Sequence, residues 1–366
     1  MSEPLRFLTC EHCGLPHESG LGTCPFTGRA IDASRPSIAP PPDPFIGQVL
    51  DGRYAVRELL GRGGMGSVYR ALHTALDREV AVKILLGKEA RSAGRLLREA
   101  RAAAAIRHDH VVAVHDVAAL DDGTPFLVME LLDGESLDQR LLARGALEIV
   151  EAIDITLQLL AGLEAVHQTG VVHRDVKPAN VFLLAGDAVR VKLLDFSISK
   201  LSEASQLTRT GEIVGTPRYL SPEQARGLPD VDARVDVWAV GVLLHEMLTG
   251  ETPFDAETVS GLVTSILVDD PRPPSATRPE VPPALDRVVT VALSKSPDDR
   301  YASATAMRLA LARLRRRAET DDTLVDGEGD EVLGTIPRFV EPSTLVDSQP
   351  PERGGRLEET HERLKE

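Results

Sequence analysis

The sequence predicts an α+β fold in which strands come first and helices follow. Three observations support this prediction. Between Tyr54 and Leu132, alternating or continuous apolar runs are typical of strands, and one pair of runs is joined by a glycine-rich turn. From Glu151 to Gln168, apolar residues recur at the spacing of a mostly buried helix. The chain has 366 residues, enough for one large two-lobed domain with accessory segments.

The negative charge of the chain is concentrated near its end. The whole sequence has a net charge of −15, and residues 319–366 hold 14 acidic and 5 basic side chains. Such a tail disfavours binding to nucleic acid or to an anionic membrane. We find no secretion signal and no apolar run near the ~18 residues that span a bilayer. Three cysteines indicate a reducing cytoplasm rather than a disulfide framework.

Residues 8–30 carry half of a zinc-ribbon pattern. Cys10 and Cys13 form one ligand pair, and Cys24 would open the second pair, whose other cysteine is missing. With His17 as the fourth ligand, a tetrahedral Cys₃His zinc site would order this short segment. The alternative is a small loop with free thiols. Residues 31–45 are rich in proline and predict an extended spacer before the main domain.

The glycine-rich turn lies between two predicted strands and reads Gly61-Arg62-Gly63-Gly64-Met65-Gly66. In dinucleotide-binding folds a helix follows such glycines, whereas here a strand follows, from Ser67 to Ala71. The glycines are therefore predicted at a hairpin tip, which can lie close over a triphosphate and present backbone N–H groups. No Gly-Lys-Ser/Thr sequence closes the turn, which excludes a Walker-type loop.

The next apolar strand, Glu79 to Leu85, contains a single lysine, Lys83. A helix is predicted from Arg91 to Ile106, and its only acidic residue is Glu99. Taken alone, an edge-strand lysine and a surface glutamate are ordinary alternatives for these two residues.

The most informative stretch is residues 173–180, His-Arg-Asp-Val-Lys-Pro-Ala-Asn. Asp175 is a carboxylate suited to accept a proton from a substrate hydroxyl, Lys177 is an ammonium, and Asn180 offers a neutral oxygen to a hard divalent cation. This string resembles the catalytic loop of protein kinases. The other motifs stand around it in the expected order. The chain is therefore similar to bacterial eukaryotic-like (Hanks-type) serine/threonine protein kinases.

The resemblance covers residues 46–317 and implies a bilobal protein kinase fold. An antiparallel β-sheet N-lobe (46–132) would lie over a mainly helical C-lobe (133–317). The implied reaction is in-line transfer of the ATP γ-phosphoryl group to Ser or Thr hydroxyls of protein substrates, with Mg²⁺ or Mn²⁺.

The resemblance also implies which residues form the site. The expected catalytic residues are Asp175, Lys177, Lys83 and Glu99, the last two as an ion pair that positions the phosphates. Asn180 and Asp195 are the expected metal ligands. The expected nucleotide-binding residues are Leu60, Gly61, Arg62, Gly63, Gly64, Met65, Gly66, Ser67, Val68, Ala81, Lys83, Met129, Glu130, Leu132 and Phe182.

One position departs from the family pattern. The family has glycine two residues after the metal-binding aspartate, and this chain has Ser197. A pseudokinase scaffold is therefore the alternative function.

The following loop contains Thr208 and Thr210, which the resemblance marks as phosphorylation sites, with Arg174 to neutralise the phosphate. A solvated threonine-rich loop is the alternative interpretation.

Structural roles follow from the same resemblance. Asp236 is expected to brace the catalytic-loop backbone, and Glu223 is expected to pair with Arg300. The helix predicted from Ala302 to Arg317 ends in several arginines, which are typical of a helix C-terminus because the dipole favours cations there. A zinc-dependent nucleic-acid-binding regulator is the alternative.

Residues 318–366 are acidic and poor in apolar side chains, which predicts a disordered tail. Thr323 and Thr344 each begin a Thr-Leu-Val-Asp sequence. A threonine followed by aspartate three residues later is similar to the phosphothreonine ligand of forkhead-associated domains, which predicts such a partner. Chance repetition is the alternative. No nucleic-acid or membrane partner is expected, and an activating homodimer is a further hypothesis.

Overall fold

A computed structural model describes residues 7–9, 16–18, 43–63, 66–85, 106–195 and 217–319. Near the start of the chain, strands β1 (Phe7–Thr9) and β2 (Pro16–Glu18) pair antiparallel, with Leu8 opposite His17. The main body follows from Asp43 onward and consists of a sheet lobe and a mainly helical lobe, as the sequence predicts.

The first lobe is built on a six-stranded antiparallel sheet with the strand order β3-β4-β5-β6-β8-β7. The strands are β3 (Val49–Leu50), β4 (Tyr54–Gly63), β5 (Gly66–His73), β6 (Arg78–Leu85), β7 (Val114–Ala119) and β8 (Pro125–Glu130). The β4–β5 pairing ends with Gly63 opposite Gly66, which confirms the predicted hairpin.

Alternation along β5 divides the side chains of this sheet between two faces. Tyr69 is buried on the outer face, in a cluster with Val82 and Ile84. Its neighbour Val68 packs instead with Ala81 and Met129, which belong to the cluster that continues into the second lobe. The inner face of the sheet is therefore the one turned toward the rest of the chain.

Asp43 and Phe45 belong to this lobe, although the sequence placed them in the proline-rich spacer. The Phe45 ring meets Tyr69 edge-on, with ring centroids 5.8 Å apart, and packs on the outer cluster. The Phe45 amide donates to Asp43 Oδ1 at 3.0 Å. Two residues of the predicted spacer thus contact the first lobe directly, and the predicted start of the main domain at Ile46 stays a prediction. Tyr69, which both side chains contact, lies more than 20 residues later, beyond the reach of local sequence patterns.

The second lobe is mainly helical. It opens with a three-stranded sheet in the order β11-β10-β9, formed by β9 (Gly134–Ser136), β10 (Val181–Leu184) and β11 (Arg190–Leu193). Its described helices are α1 (Leu137–Arg144), α2 (Ile149–Gln168), α3 (Pro222–Ala225), α4 (Arg234–Thr249), α5 (Val259–Val268), α6 (Pro274–Thr277), α7 (Pro283–Ala292) and α8 (Ala304–Glu319). Helix α2 coincides with the predicted buried helix to within two residues at its start.

Helix α4 forms the centre of this lobe. From Val235 to Leu248 only Glu246 is not fully buried. Trp238 stacks on Phe254 with ring centroids 5.6 Å apart, and Gly241 lets α7 approach so closely that a Cβ there would lie 2.8 Å from Ala292 Cβ. An all-round apolar helix of this length is typical of a domain core. None of the described helices is long and apolar enough to cross a bilayer.

Arginines on α8 pair with acids on α2. Arg308 Nη2 lies 3.0 Å from Glu164 Oε2, and Arg315 Nε lies 2.8 Å from Asp154 Oδ1. These pairs dock the last described helix on the core. Of the arginines near the end of this helix, Arg315 is thus paired with an acid of α2.

The predicted Glu223–Arg300 pair is confirmed. The two terminal nitrogens of Arg300 lie 2.7 and 2.8 Å from the two carboxylate oxygens of Glu223, and the Arg300 side chain is 0% exposed. The Arg300 guanidinium also lies 4.9 Å from the centre of the Trp238 ring. The pair therefore fixes α3 to the core around α4.

Candidate active site

The loop at residues 173–180 is anchored to α4 by one carboxylate. Asp236 Oδ2 accepts the backbone amide of His173 at 2.8 Å, and Oδ1 accepts the amide of Arg174 at 2.7 Å. The ring nitrogen Nε2 of His167, at the end of α2, lies 2.7 Å from Oδ2. A buried charge requires such partners. The brace predicted for Asp236 is thus confirmed.

Three polar side chains of this loop meet around Asp175. Lys177 Nζ donates to Asp175 Oδ2 at 2.9 Å. Asn180 Nδ2 donates to the same oxygen at 3.1 Å and to the Asp175 carbonyl at 2.8 Å. The 3₁₀ turn Pro178–Asn180 closes the loop and aims the Asn180 amide back at Asp175. The amide nitrogen is thereby occupied, so the oxygen of Asn180 is the atom suited to bind a cation.

Two hydrogen bonds connect this loop to the end of β11. The amide of Leu194 donates to the carbonyl of Asn180 at 2.8 Å, and His173 Nε2 lies 2.9 Å from the Leu194 carbonyl. Asp195 follows directly, so the two predicted metal ligands are held in neighbouring segments. Lys83 Nζ, from the inner face of the first lobe, lies 2.7 Å from Asp195 Oδ1. The Lys83–Asp195 pair is therefore connected, through the bonds of Leu194, to the loop in which Asp175, Lys177 and Asn180 contact one another.

Two residues of the site have a left-handed backbone. Arg174 has φ 65° and Asp195 has φ 48°. For residues other than glycine this conformation costs about 1–2 kcal/mol. At Arg174 the cost is offset by the bond from its amide to Asp236 and by Gln224 Nε2, which donates to the Arg174 carbonyl at 3.0 Å. The strain thus lies immediately beside Asp175 and at the Lys83 contact.

The expected adenine-side residues lie between the lobes. Val68, Ala81 and Met129 belong to one buried cluster on the inner face of the sheet, and their contact with adenine stays a prediction. Phe182 lies on β10, opposite Ser136 in register.

Glu130 forms an ion pair that the sequence patterns do not predict. Its carboxylate oxygen Oε1 lies 2.7 Å from Lys192 Nζ and accepts the amide of Ala113 at 2.8 Å. Lys192 is three residues before Asp195, so this ion pair joins the connection between the lobes to the strand that leads into the metal-binding segment. The sequence alone does not single out Lys192, because a lysine in a short strand is typical of an ordinary surface residue when its partner is unknown.

Several predicted site residues lie outside the described part of the chain. They are Gly64, Met65, Glu99, Ser197, Thr208, Thr210, Cys10, Cys13 and Cys24. The Lys83–Glu99 pair therefore stays a prediction. Within the described ranges, no group of three or more His, Cys, Asp or Glu side chains could hold a metal ion.

The family described as "Protein kinase domain" matches residues 54–310, more than half of the chain. The chain belongs to the protein kinase family. Membership implies the use of ATP and Mg²⁺.

Relatives in bacteria are similar over most of this kinase chain. "Serine/threonine-protein kinase pkn3" of Myxococcus xanthus is 37% identical over 312 residues, which cover 82% of this chain and 57% of the relative. PksC of Streptomyces coelicolor, also named a serine/threonine-protein kinase, is 43% identical over 275 residues, covering 72% and 49%. This chain therefore spans about half the length of the curated relatives it matches.

A solved structure supports the fold. The crystal structure titled "Rad53 1-466 in complex with AMP-PNP" superposes with a TM-score of 0.61 at 24% identity, covering 70% of this chain and 64% of that chain. At this identity the likeness concerns the fold alone. It agrees with the two-lobed architecture that the sequence predicts.

Proposed function

We propose that this chain is a serine/threonine protein kinase that transfers the γ-phosphoryl group of ATP to Ser or Thr hydroxyls of proteins. The observation that carries the proposal is the cleft in which Asp175, Lys177 and Asn180 contact one another beside the Lys83–Asp195 pair. The relatives named as serine/threonine-protein kinases add support, at 37% and 43% identity.

Asp175 orients the substrate hydroxyl and takes its proton. Its carboxylate is held by Lys177 and Asn180, and its backbone position follows from the Asp236 brace. Because the carboxylate is fixed before substrate arrives, little reorganisation is needed when the hydroxyl binds. Lys177 adds positive charge beside the reacting group, which offsets charge that develops during transfer.

The donor set of the cleft fits a magnesium nucleotide. Asn180 and Asp195 would hold the ion through an amide oxygen and a carboxylate, which are ligands that Mg²⁺ prefers. When bound, the ion neutralises charge on the phosphates. Lys83 already meets Asp195 at 2.7 Å, so its ammonium is held at the place where phosphate oxygens would be bound.

Phosphorylation of Thr208 or Thr210 is the proposed control of this activity. Arg174 supports this idea, because its Nε is buried and has no hydrogen-bond partner among the described residues. A buried guanidinium nitrogen without a partner is costly, and a phosphate would satisfy it. The expected result is that Thr208→Ala with Thr210→Ala lowers activity, measured by phosphate incorporation into a protein substrate.

The test of the proposed function is incorporation of label from γ-labelled ATP with Mg²⁺ into the chain itself and into a general protein substrate. Asp175→Asn should reduce labelling by at least about 100-fold, since it removes the proton acceptor but keeps the side-chain shape. Asp187→Asn, at an exposed turn, is the matched control and should label like the wild type. Ser197→Gly should leave labelling unchanged or raise it. Equal labelling in wild type and Asp175→Asn would overturn the proposal, and so would a wild type that binds nucleotide without labelling.

Other parts of the proposal concern the two ends of the chain. Zinc at Cys10, Cys13, His17 and Cys24 would appear as one equivalent of metal in elemental analysis of the purified protein. Phosphate-dependent capture of a forkhead-associated domain should be lost when Thr323 and Thr344 are both alanine. An activating homodimer and a cytoplasmic location also stay predictions.

A further inference from the structure

The segment before the matched kinase domain contacts the glycine-rich hairpin directly. Asp43 lies 11 residues before the first matched residue, Tyr54. Its Oδ2 accepts a hydrogen bond from Arg62 Nη2 at 2.5 Å and another from the Tyr69 hydroxyl at 3.1 Å. Arg62 belongs to β4 and Tyr69 to β5, so one carboxylate joins both strands of the hairpin.

We call the contact of Asp43 with Arg62 and Tyr69 the anchor. Its carboxylate and its backbone are both held in place. The Asp43 side chain is only 8% exposed, and its second oxygen accepts the Phe45 amide. The segment itself is fixed to β4 by two backbone bonds: the Gly47 amide donates to the Val56 carbonyl at 3.0 Å, and the Val56 amide donates to the Gln48 carbonyl at 2.9 Å. An exposed ion pair between mobile side chains contributes little to stability. Here, in contrast, the Asp43 carboxylate is buried and also accepts a hydrogen bond from the nearby Phe45 amide.

The charge state of Asp43 agrees with this role. Burial acts to raise the pKa of the Asp43 carboxyl, but hydrogen bonds from the Phe45 amide, Arg62 and Tyr69 outweigh it, and the pKa lies below its ordinary value. The carboxylate is therefore ionised throughout the neutral range and can hold the Arg62 guanidinium.

The position of Arg62 indicates how the contact with Asp43 affects the hairpin. Arg62 pairs with Ser67 in register, one step from the Gly63–Gly66 pair that ends the described hairpin. Its partner Tyr69 lies in the outer cluster, whereas Val68 packs on the inner face with Ala81. The anchor thus draws the Arg62 side chain to the outer face, away from the side on which nucleotide is expected, and restrains the strands that carry the tip.

We propose that Asp43 is a positioning residue for the nucleotide, which acts through Arg62 and Tyr69 to hold the glycine-rich hairpin in place over the phosphates. The inference rests on the proposed kinase function. It extends the functional unit to a segment that precedes the matched domain.

The test measures nucleotide binding and turnover separately in the full-length chain. Binding of a fluorescent ADP analogue with Mg²⁺ needs no phosphoryl transfer, so it reports on the anchor even if labelling fails. Asp43→Asn should weaken binding by about three- to tenfold, the range expected for losing one charge-assisted hydrogen bond. KM for ATP should rise by a similar factor, while kcat and KM for the protein substrate change by less than about twofold.

A double-mutant cycle separates positioning from general destabilisation. Arg62→Gln should weaken nucleotide binding to a similar extent as Asp43→Asn. The two substitutions remove the same Asp43–Arg62 contact, so the double variant should bind nucleotide about as well as the single variant that has the lower affinity. Glu79→Gln is the matched control: it removes a partner of Arg57 and Arg70 on the same sheet and should leave binding unchanged. Unchanged binding in Asp43→Asn, fully additive effects in the cycle, or an equal loss in Glu79→Gln would each overturn the inference. Failure of the wild type to bind nucleotide would instead count against the proposed function.

Discussion

Asp236 Oδ1 accepts the backbone amide of Arg174 at 2.7 Å, and this bond ties the buried helix α4 to the residue before Asp175, the predicted catalytic aspartate. The same carboxylate also accepts the amide of His173. The core of the second lobe therefore determines where Asp175 lies. Stability and catalysis are coupled at this point, because the loop cannot shift without breaking bonds to a buried charge.

Asp236→Asn should lower both the stability of the fold and the catalytic activity. The amide would turn an N–H group toward a backbone N–H, so one buried donor loses its acceptor at a cost of about 1–3 kcal/mol. We expect a melting temperature lower by several degrees and kcat lower by at least about tenfold, since small displacements of a catalytic group are costly. Thermal melting and ATP-dependent labelling measure the two effects. The control is Asp154→Asn, which removes a partly exposed partner of Arg315 and should change neither property appreciably. Normal activity in Asp236→Asn would contradict the proposed coupling.

Two described glycines of the hairpin, Gly63 and Gly66, are predicted to differ in what they contribute. At Gly66, φ is 153° and a Cβ would lie 2.1 Å from the Ile84 carbonyl oxygen. At Gly63, a Cβ would meet no atom of the described residues within 4 Å. Gly66→Ala should therefore destabilise the fold by about 1–3 kcal/mol without nucleotide present. Gly63→Ala should leave the melting temperature nearly unchanged and weaken nucleotide binding only. Equal melting temperatures for the two variants would refute this distinction.

Arg300 and Glu223 form the most deeply buried ion pair of the described residues. Arg300→Leu leaves the Glu223 carboxylate buried without its partner, so we expect a loss of about 3–5 kcal/mol in the free energy of unfolding. Urea denaturation monitored by Trp238 fluorescence measures the loss, since the guanidinium lies over that ring. Asp298→Asn is the exposed counterpart, because Asp298 pairs with Arg234 at 87% exposure, and it should cost less than about 1 kcal/mol. A loss below 1 kcal/mol in Arg300→Leu would show that the pair contributes little.

Sequence patterns predict most of the fold and the polar centre of the site, because those features depend on local periodicity or on motifs with fixed spacing. The hairpin, α2 and the Asp236 brace are of this kind. The contacts that the sequence does not reveal are long-range: Lys192 with Glu130, and Asp43 with Arg62 and Tyr69. In each, an ordinary surface-type residue gains its role only when a distant strand is placed beside it.

The Tyr219–Glu246 contact predicts a pH dependence of stability. Tyr219, which follows the loop that contains Thr208 and Thr210, donates its hydroxyl to Glu246 Oε2 on α4 at 2.7 Å. Burial raises the pKa of the Glu246 carboxyl above its ordinary value of 4.5, Asp138 acts in the same direction, and the Tyr219 bond and Arg218 oppose the rise. The folded state therefore binds more protons than the unfolded state between pH 4.5 and the raised pKa, so this group's contribution to stability falls as pH increases through that window.

Tyr219→Phe removes one of the two effects that lower the Glu246 pKa, so the pKa should rise further and the penalty for ionising Glu246 should grow. We expect a loss of about 1–2 kcal/mol near pH 7.5 that shrinks as the pH is lowered, because the raised pKa lets the carboxyl take up its proton in the folded state at a higher pH than an ordinary glutamate does. Urea denaturation across this pH range measures the loss. In a Glu246→Gln background the effect of Tyr219→Phe should no longer depend on pH. If the loss is the same at pH 5 and pH 7.5 with Glu246 present, the hydroxyl does not stabilise the ionised carboxylate, and the contact serves packing alone.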